Sequence, residues 1–291
     1  MRVSNAMMAN NIQAYLFKHT ESLLDIQERI ASGKRINRPS DDPIGMGEAL
    51  DYRTTIASLE QYNDNITDGK LHIDKVEDIL DGVTDLISEA KGIAADLHPD
   101  MRDMMADQVV VIRQQVLQLA NSKSNGNYIF NGLRTDTAPF DAAGVYNFGN
   151  PPTTGTKDYM IGDGLQLSLE AEGDQIFITG GNNIFDVLDD LETELRADNA
   201  AGITAQLPVL DQAVQTLNTT RAVNAGKHQR LDATENHNKK FKVNVQDLLS
   251  RTEDTDVVEA AIDLKVQQTA YESTLATAAQ IVRPSLIDFL R

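Results

Sequence analysis

The apolar positions of this chain follow two regimes. Over most of its length they recur at alternating steps of three and four. Tyr52, Ile56 and Leu59 open one such series, and Ile73, Val76, Leu80, Val83, Ile87, Ala90, Ala94 and Leu97 continue it. This spacing keeps one helix face apolar and is the seam of a coiled coil. Asn63, Ile66 and Lys70 bridge the two runs and mark a slip in register. Residues 44–98 contain no proline, so a single long helix is predicted. His98-Pro99 ends it, because the residue before a proline is driven out of the α region. A second helix is predicted from Met105, Val109, Ile112, Val116 and Leu119, stopping near Asn125-Gly126. Ile184, Leu188, Leu191 and Leu195 form a short helical run, and Leu207, Leu210, Val214 and Leu217 open a longer one. That seam turns polar at Arg221, Asn224 and His228 before Leu231, Phe241, Val245 and Leu248. A polar stretch of seam reads either as a hydrated helix face or as register control within a bundle.

The second regime lies between Asn125 and Phe185. Ten of the 18 glycines, three of the eight prolines and eight of the 15 aromatic residues fall there, which predicts short strands joined by turns. Candidate strands are Tyr128-Ile129-Phe130, the alternating Leu165, Leu167 and Leu169, and Gln175 to Thr179. Roughly 50 residues are few for an independent domain, so this is a β insertion braced against its neighbours. The fold class is therefore mainly α: long coiled-coil-like helices from both chain ends forming an elongated bundle, with a small β-rich insertion. Three domains are expected: paired terminal helices (1–40 plus 252–291), a long helical bundle (41–130 plus 183–251) and the β insertion (131–182).

The two ends match each other. Ile12, Leu16, His19, Leu23, Ile26, Ile30 and Gly33 step by four and three, as do Val257, Ala261, Leu264, Gln268, Tyr271, Leu275, Ala278 and Val282. Residues 1–38 carry six Lys/Arg and three Asp/Glu, and residues 251–291 carry four and seven, so the net charges are +3 and −3. Two amphipathic helices of opposite charge can pair. Neither is strongly apolar, and isolated helices are marginal in water. We expect them to order only when packed against other copies. Between the first helix and the long one, Gly33, Pro39 and Pro43 interrupt the helical pattern and form a hinge. Ser40, Asp41 and Asp42 are its cap candidates, with Pro43 in the first turn of the next helix.

Composition narrows the chemistry. The chain has 291 residues, no cysteine and a formal net charge of −18. That excludes disulfides and thiol chemistry and argues against nucleic-acid binding, which needs a basic patch. The start has no signal-peptide core, and no apolar run is long enough to cross a membrane. No phosphate cradle occurs, and His19, His72, His98, His228 and His237 lack metal-ligand spacing. His19 reads as a polar position within the N-terminal seam. Asp41-Asp42 and Asp189-Asp190 read as charges at helix N-termini. No catalytic, cofactor or metal site is expected.

Ser32-Gly-Lys-Arg-Ile-Asn-Arg-Pro-Ser-Asp-Asp-Pro-Ile44 resembles the N-terminal signature of the bacterial flagellin superfamily. Gly126-Asn-Tyr-Ile-Phe-Asn-Gly132 with Thr135-Asp-Thr-Ala-Pro-Phe140 is similar to the entry into the β domain in its hook–filament junction branch. Tyr271-Glu-Ser-Thr-Leu-Ala-Thr-Ala-Ala279 with Pro284-Ser-Leu-Ile-Asp-Phe-Leu290 is similar to the C-terminal helix of the family. The resemblance implies an axial structural part of the flagellum, an adaptor between hook and filament; the alternative is a minor flagellin. It implies polymerisation through terminal helices, exposing Ile12, Leu16, Leu23, Ile26 and Ile30 at one end and Leu264, Tyr271, Leu275, Ala278, Val282 and Leu286 at the other. The C-terminal stripe would also meet an export chaperone. The partners implied are further copies of the chain, a second hook-associated junction protein, flagellin and that chaperone. Export would pass through the flagellar type III apparatus, without a cleaved signal, to the flagellum. A chain without cysteine and with weak terminal helices suits export in the unfolded state.

Overall fold

Helical periodicity becomes seven helices, and the glycine-rich stretch becomes three strand pairs, among the residues described by this computed structural model: 5–96, 98–132, 134–147, 158–169, 172–179 and 181–282. Helix α1 (Asn5–Ser32) ends at Gly33, whose φ of +72° is a left-handed closure that glycine adopts without a Cβ clash. Helix α2 (Pro43–Ala95) is the long uninterrupted helix expected from the absence of proline. A 3-10 turn at Pro99–Met101 leads into α3 (Arg102–Ala120). Strands β1 (Lys123–Ser124) and β2 (Asn127–Tyr128) form a hairpin, and β3 (Asp158–Gly162) pairs antiparallel with β4 (Leu165–Ser168). Helix α4 (Gly173–Phe177) precedes β5 (Ile178–Thr179) and β6 (Asn182–Asn183), which also pair. Helices α5 (Ile184–Arg196), α6 (Ala200–Glu253) and α7 (Val257–Val282) complete the described chain. The chain divides into two units, one of residues 1–58 with 240–291 and one of residues 59–239.

Five local expectations are corrected. Of Tyr128-Ile129-Phe130 only Tyr128 pairs as strand, in β2, and Ile129 and Phe130 lie beyond it. Helix α3 stops at Ala120, not near Asn125-Gly126. Asn125 and Gly126 have φ of +52° and +86° and form the two-residue loop between β1 and β2. Asn-Gly favours that hairpin turn, whose twist matches the strands it joins, so the signal read as a helix stop belongs to a hairpin. Gln175 to Thr179 is not one strand: Gln175–Phe177 ends the short helix α4, and only Ile178 and Thr179 pair. Asp189-Asp190 lies in the second turn of α5, whose cap is Asn183, its side chain accepting from Phe185 N at 3.1 Å. In α7 the covered residues are Ala260, Leu264, Gln267, Gln268, Ala270, Tyr271, Thr274 and Ala278. The predicted Leu264, Gln268, Tyr271 and Ala278 are thus covered, while Val257, Ala261 and Leu275 are exposed. Apolar residues lie on more than one face of α7, and contact with α1 selects which face is covered. Leu97 and Leu286 lie outside the described residues, as does the side chain of Val282.

The residue 59–239 unit holds an extensive core. Val76, Leu80, Val83, Ile87, Ala90 and Ala94 of α2 pack with Met105, Val109, Ile112 and Val116 of α3, Leu188, Leu191 and Leu195 of α5, and Ile203, Leu210 and Leu217 of α6. Phe130, Phe140, Phe177 and Phe185 join this same core. Phe140 lies edge-on to Phe177 and Phe185, with ring centroids 5.4 and 5.0 Å apart. The aromatic residues of the glycine-rich stretch thus seal the helices around it. Further along α2, Ile66 and Ile73 pack with Leu231 of α6 and with Ile161, Leu167 and Leu169 of the β3–β4 hairpin. Asn65 Nδ2 donates to Met160 O at 2.8 Å, and the buried Asn238 donates to Ile161 O at 3.1 Å. Two asparagines thereby fasten β3 to α2 and α6.

The polar seam is a ladder of ion pairs between α2 and α6. Arg221 meets Glu77 at 2.6 Å and Asp81 at 2.8 Å, His228 faces Asp74 and Asp232, and Lys70 meets Asp232 and Glu235. Asn224 is buried within it. Hydrogen bonds to Glu77 are the largest influence raising Arg221 further above its ordinary pKa.

Candidate functional site

The residue 1–58 and 240–291 unit has little core of its own. Ile26, Ile36, Ala49, Val245 and Ala260 are five of the 39 hydrophobic residues that are buried among those described. Helices α1 and α7 lie against each other antiparallel, α1 running toward its elbow and α7 away from the break after α6. Ile26 is buried and Ile12, Leu16, Leu23 and Ile30 are half-buried; on α7 Leu264, Tyr271 and Ala278 are half-buried and Leu275 is exposed. His19 sits midway, its Nδ1 3.0 Å from Gln267 Nε2. The N-terminal positions predicted from periodicity are thus brought together on one face of α1, within a single copy.

A second set of apolar side chains on the same two helices is left uncovered. Phe17 and Leu24 on α1, seven residues apart, are more than three-fifths exposed, as are Val258 and Val266 on α7, with Ile262 between them at 60%. Of the 22 large hydrophobic side chains that are exposed among the described residues, 14 belong to this unit, which holds the smaller part of the chain. Scattered exposed apolar residues need no explanation, but their concentration on a unit that lacks core marks an interaction surface. Sequence reasoning followed the 3–4 seam and missed this set. The available signal was the four-residue step from Val258 to Ile262 to Val266.

The hinge residues build a closed elbow. Asp41 Oδ2 accepts from the backbone N–H of Asn37 at 3.1 Å and of Arg38 at 2.8 Å, folding the loop. Asp42 Oδ1 accepts from Gly45 N at 2.9 Å and caps α2, with Pro43 as its first residue. Among Ser40, Asp41 and Asp42 the cap is therefore Asp42. Backbone donation from Arg38 chiefly holds Asp41 below the usual carboxylate range, and donation from Gly45 does the same for Asp42. Across the elbow lies the break between α6 and α7. Arg35 N donates to Glu253 O at 2.6 Å, Thr255 N donates to Gly33 O at 3.0 Å, and Lys34 bridges Asp254 in antiparallel fashion. The Arg35 guanidinium donates to Thr252 O at 2.9 Å. The Glu253 carboxylate is 3% exposed and pairs with both Lys34 and Arg53. Burial alone would push its pKa up; hydrogen bonds from Lys34 and Arg53 outweigh burial and hold it below the ordinary value. Sequence reasoning missed Glu253, because its partners are about 200 residues away.

No catalytic constellation accompanies these surfaces. Among the described residues no cluster of His, Asp and Glu could hold a metal ion, and no helix is long and apolar enough to cross a membrane.

Comparison with known proteins agrees with this geometry. Residues 3–135 match the bacterial flagellin N-terminal helical region. The flagellar hook-associated protein 3 of Salmonella typhimurium is 29% identical over 258 residues, spanning 86% of this chain and 77% of that protein. Flagellin of Bacillus subtilis is 26% identical, with 96% of each chain covered. Among solved structures, a putative flagellar hook-associated protein from Vibrio parahaemolyticus shares the fold, with a TM-score of 0.67 at 21% identity over 74% of this chain and all of that one. The chain is thus similar, over most of its length, to proteins of the flagellin superfamily. The relatives it resembles are flagellar proteins of the hook-associated protein 3 and flagellin types.

Proposed function

We propose that this protein works at the hook–filament junction, polymerising through its paired terminal helices and supporting the first flagellins. The observation that carries this reading is the uneven burial: 14 of 22 exposed large hydrophobic residues belong to the unit containing both ends. A single copy leaves these side chains in water. Further copies around an axis cover them, at about 25 cal/mol per Å² of apolar area removed from water. A head-to-tail contact of this kind propagates along an axis, so a short ring requires different partners above and below. A second hook-associated protein and flagellin are the partners we assign.

The functional division we assign follows the sequence: 1–40 with 252–291 as the inner layer, 41–130 with 183–251 as the next, and 131–182 as the outward insertion. Within the inner layer, Ile12, Leu16, Leu23, Ile26 and Ile30 hold α1 on α7. Phe17, Leu24, Val258, Ile262 and Val266 meet neighbouring copies. Before assembly, the apolar stripe of α7 around Tyr271, Leu275 and Ala278 is covered by an export chaperone, as an amphipathic helix fills an apolar groove. The chain leaves the cell unfolded through the flagellar export apparatus.

Removing the protein from its cell tests the reading. The expected result is bare hooks with flagellin released to the medium. Retained full-length filaments would overturn it. The purified protein is expected to form short assemblies; long filaments formed by the protein alone would favour a minor flagellin instead.

A further inference from the structure

The described seam of the α1–α7 pair carries one polar contact, His19 with Gln267, and otherwise repeats itself. On α1 the seam positions 12, 16, 19, 23, 26 and 30 alternate steps of four and three. On α7 the covered positions 260, 264, 267, 271, 274 and 278 do the same, with 268 and 270 half-buried beside them. Sliding one helix by seven residues superimposes most of each series on itself: position 19 then faces 260 or 274 instead of 267. A slid pair would lose the His19–Gln267 contact but still set seam position against seam position, as a strict heptad repeat does in a coiled coil. The His19→Cys substitution of the test removes that contact from every chain compared. The ten-residue elbow between α1 and α2 is long enough to follow a slide of about 10 Å.

We propose that the buried Glu253 carboxylate, held by Lys34 and Arg53, is the register pin of the terminal helix pair. Three features point to it. Glu253 is the buried acidic residue among those described, and it closes the last turn of α6, four residues before α7 begins. Its two cations come from different elements, Lys34 from the elbow immediately after α1 and Arg53 from α2, so one carboxylate ties the end of α1 to the start of α7. The backbone bonds of Arg35 to Glu253 and Thr255 to Gly33 lie on both sides of it and share its register. A slide of either helix would separate Glu253 from Lys34 and leave a buried carboxylate short of a partner, which disfavours every register but one. Registry is the best-attested use of a buried ionic group, whose net contribution to stability is otherwise small. Glu253 is a positioning residue: it acts on assembly through the helices it aligns. The proposal concerns one copy of the chain and does not depend on where in the flagellum the protein works.

The chain contains no cysteine, so disulfide trapping reads the register directly. His19→Cys is combined in three separate chains with Gln267→Cys, Ala260→Cys or Thr274→Cys. Each is oxidised in the full-length purified protein, and the ratio of slid to native cross-link is measured. Trapping accumulates even transient pairs, so the ratio holds whether or not the ends are ordered in a dilute monomer. With Glu253 intact the 19–267 link should dominate. Glu253→Gln should raise the slid-to-native ratio by about tenfold or more. Val245→Ala removes a buried apolar group from the same unit and should leave the ratio unchanged. Equal ratios in the native and Glu253→Gln chains would overturn the proposal, as would a rise in Val245→Ala matching that in Glu253→Gln. If Glu253→Gln yields no cross-link, the apolar triple Lys34→Met, Arg53→Met and Glu253→Leu restores packing without charge. Mixed registers in that chain support the pin. Native-only links, or none, overturn it.

Discussion

The two units of this chain reach order by different means. Residues 59–239 bury an aliphatic seam from four helices around a cluster of four phenylalanines. Residues 1–58 and 240–291 bury five hydrophobic side chains among those described and expose 14 large ones. Folding of the first unit is rewarded within the copy. The second is tied by polar groups at its elbows and leaves apolar surface uncovered, the surface that the proposed assembly would use. On the function proposed here, weak burial at the chain ends is a condition of assembly: ends that satisfied themselves would have no surface left to polymerise.

Truncating the chain before Tyr271 gives the largest expected effect. It removes the distal half of α7, and polymerisation and chaperone binding should both be lost, read by light scattering and by co-purification. Thermal unfolding of the residue 59–239 unit should be unchanged; a truncated chain that still assembles would break the contrast. Next comes a pair of substitutions. Phe185→Ala empties the aromatic cluster and should cost about 3–5 kcal/mol in chemical denaturation. Ile262→Ala should change monomer stability by no more than about 0.5 kcal/mol, yet raise the concentration needed for assembly. Equal effects on monomer stability would erase the distinction between the units.

Acid should then act on the elbow. Glu253 is held below its ordinary pKa of 4.5, so its contribution is fully present above that value. It is lost as pH falls through the lower, folded-state value. Hydrogen exchange in α1 and α7 should accelerate over that acid range, and Glu253→Gln should flatten the dependence. The smallest effect is expected at the ladder between α2 and α6. Arg221→Ala removes pairs with Glu77 and Asp81 that are partly exposed, and should cost at most about 1 kcal/mol, less at high salt.

Much of this was readable from periodicity. The steps of three and four in α2 name the residues that are buried, from Ile73 to Ala94, because a helix facing a core presents the same face every 3.6 residues. The interruptions at Gly33, Pro39 and Pro43 place the elbow, because glycine and proline act on the backbone locally. Asn125-Gly126 was misread since the same dipeptide serves a helix end and a tight hairpin. What decides is whether the next residues find a strand partner, and Lys123 and Tyr128 do. In α7 the sequence offers apolar residues on more than one face, so periodicity alone chose a stripe that includes the exposed Val257 and Ala261.

The sequence by itself determined where helices run, where they break, that both ends are amphipathic and which superfamily the chain resembles. Each of these rests on interactions within a few residues or on a repeated local pattern. The tertiary structure alone decided that the phenylalanines of the glycine-rich stretch complete the helical core and that α2 and α6 answer each other's charges. It also decided that Glu253 meets Lys34 and Arg53. Those facts depend on residues up to about 200 positions apart, and no local rule of spacing or charge brings such distant groups together.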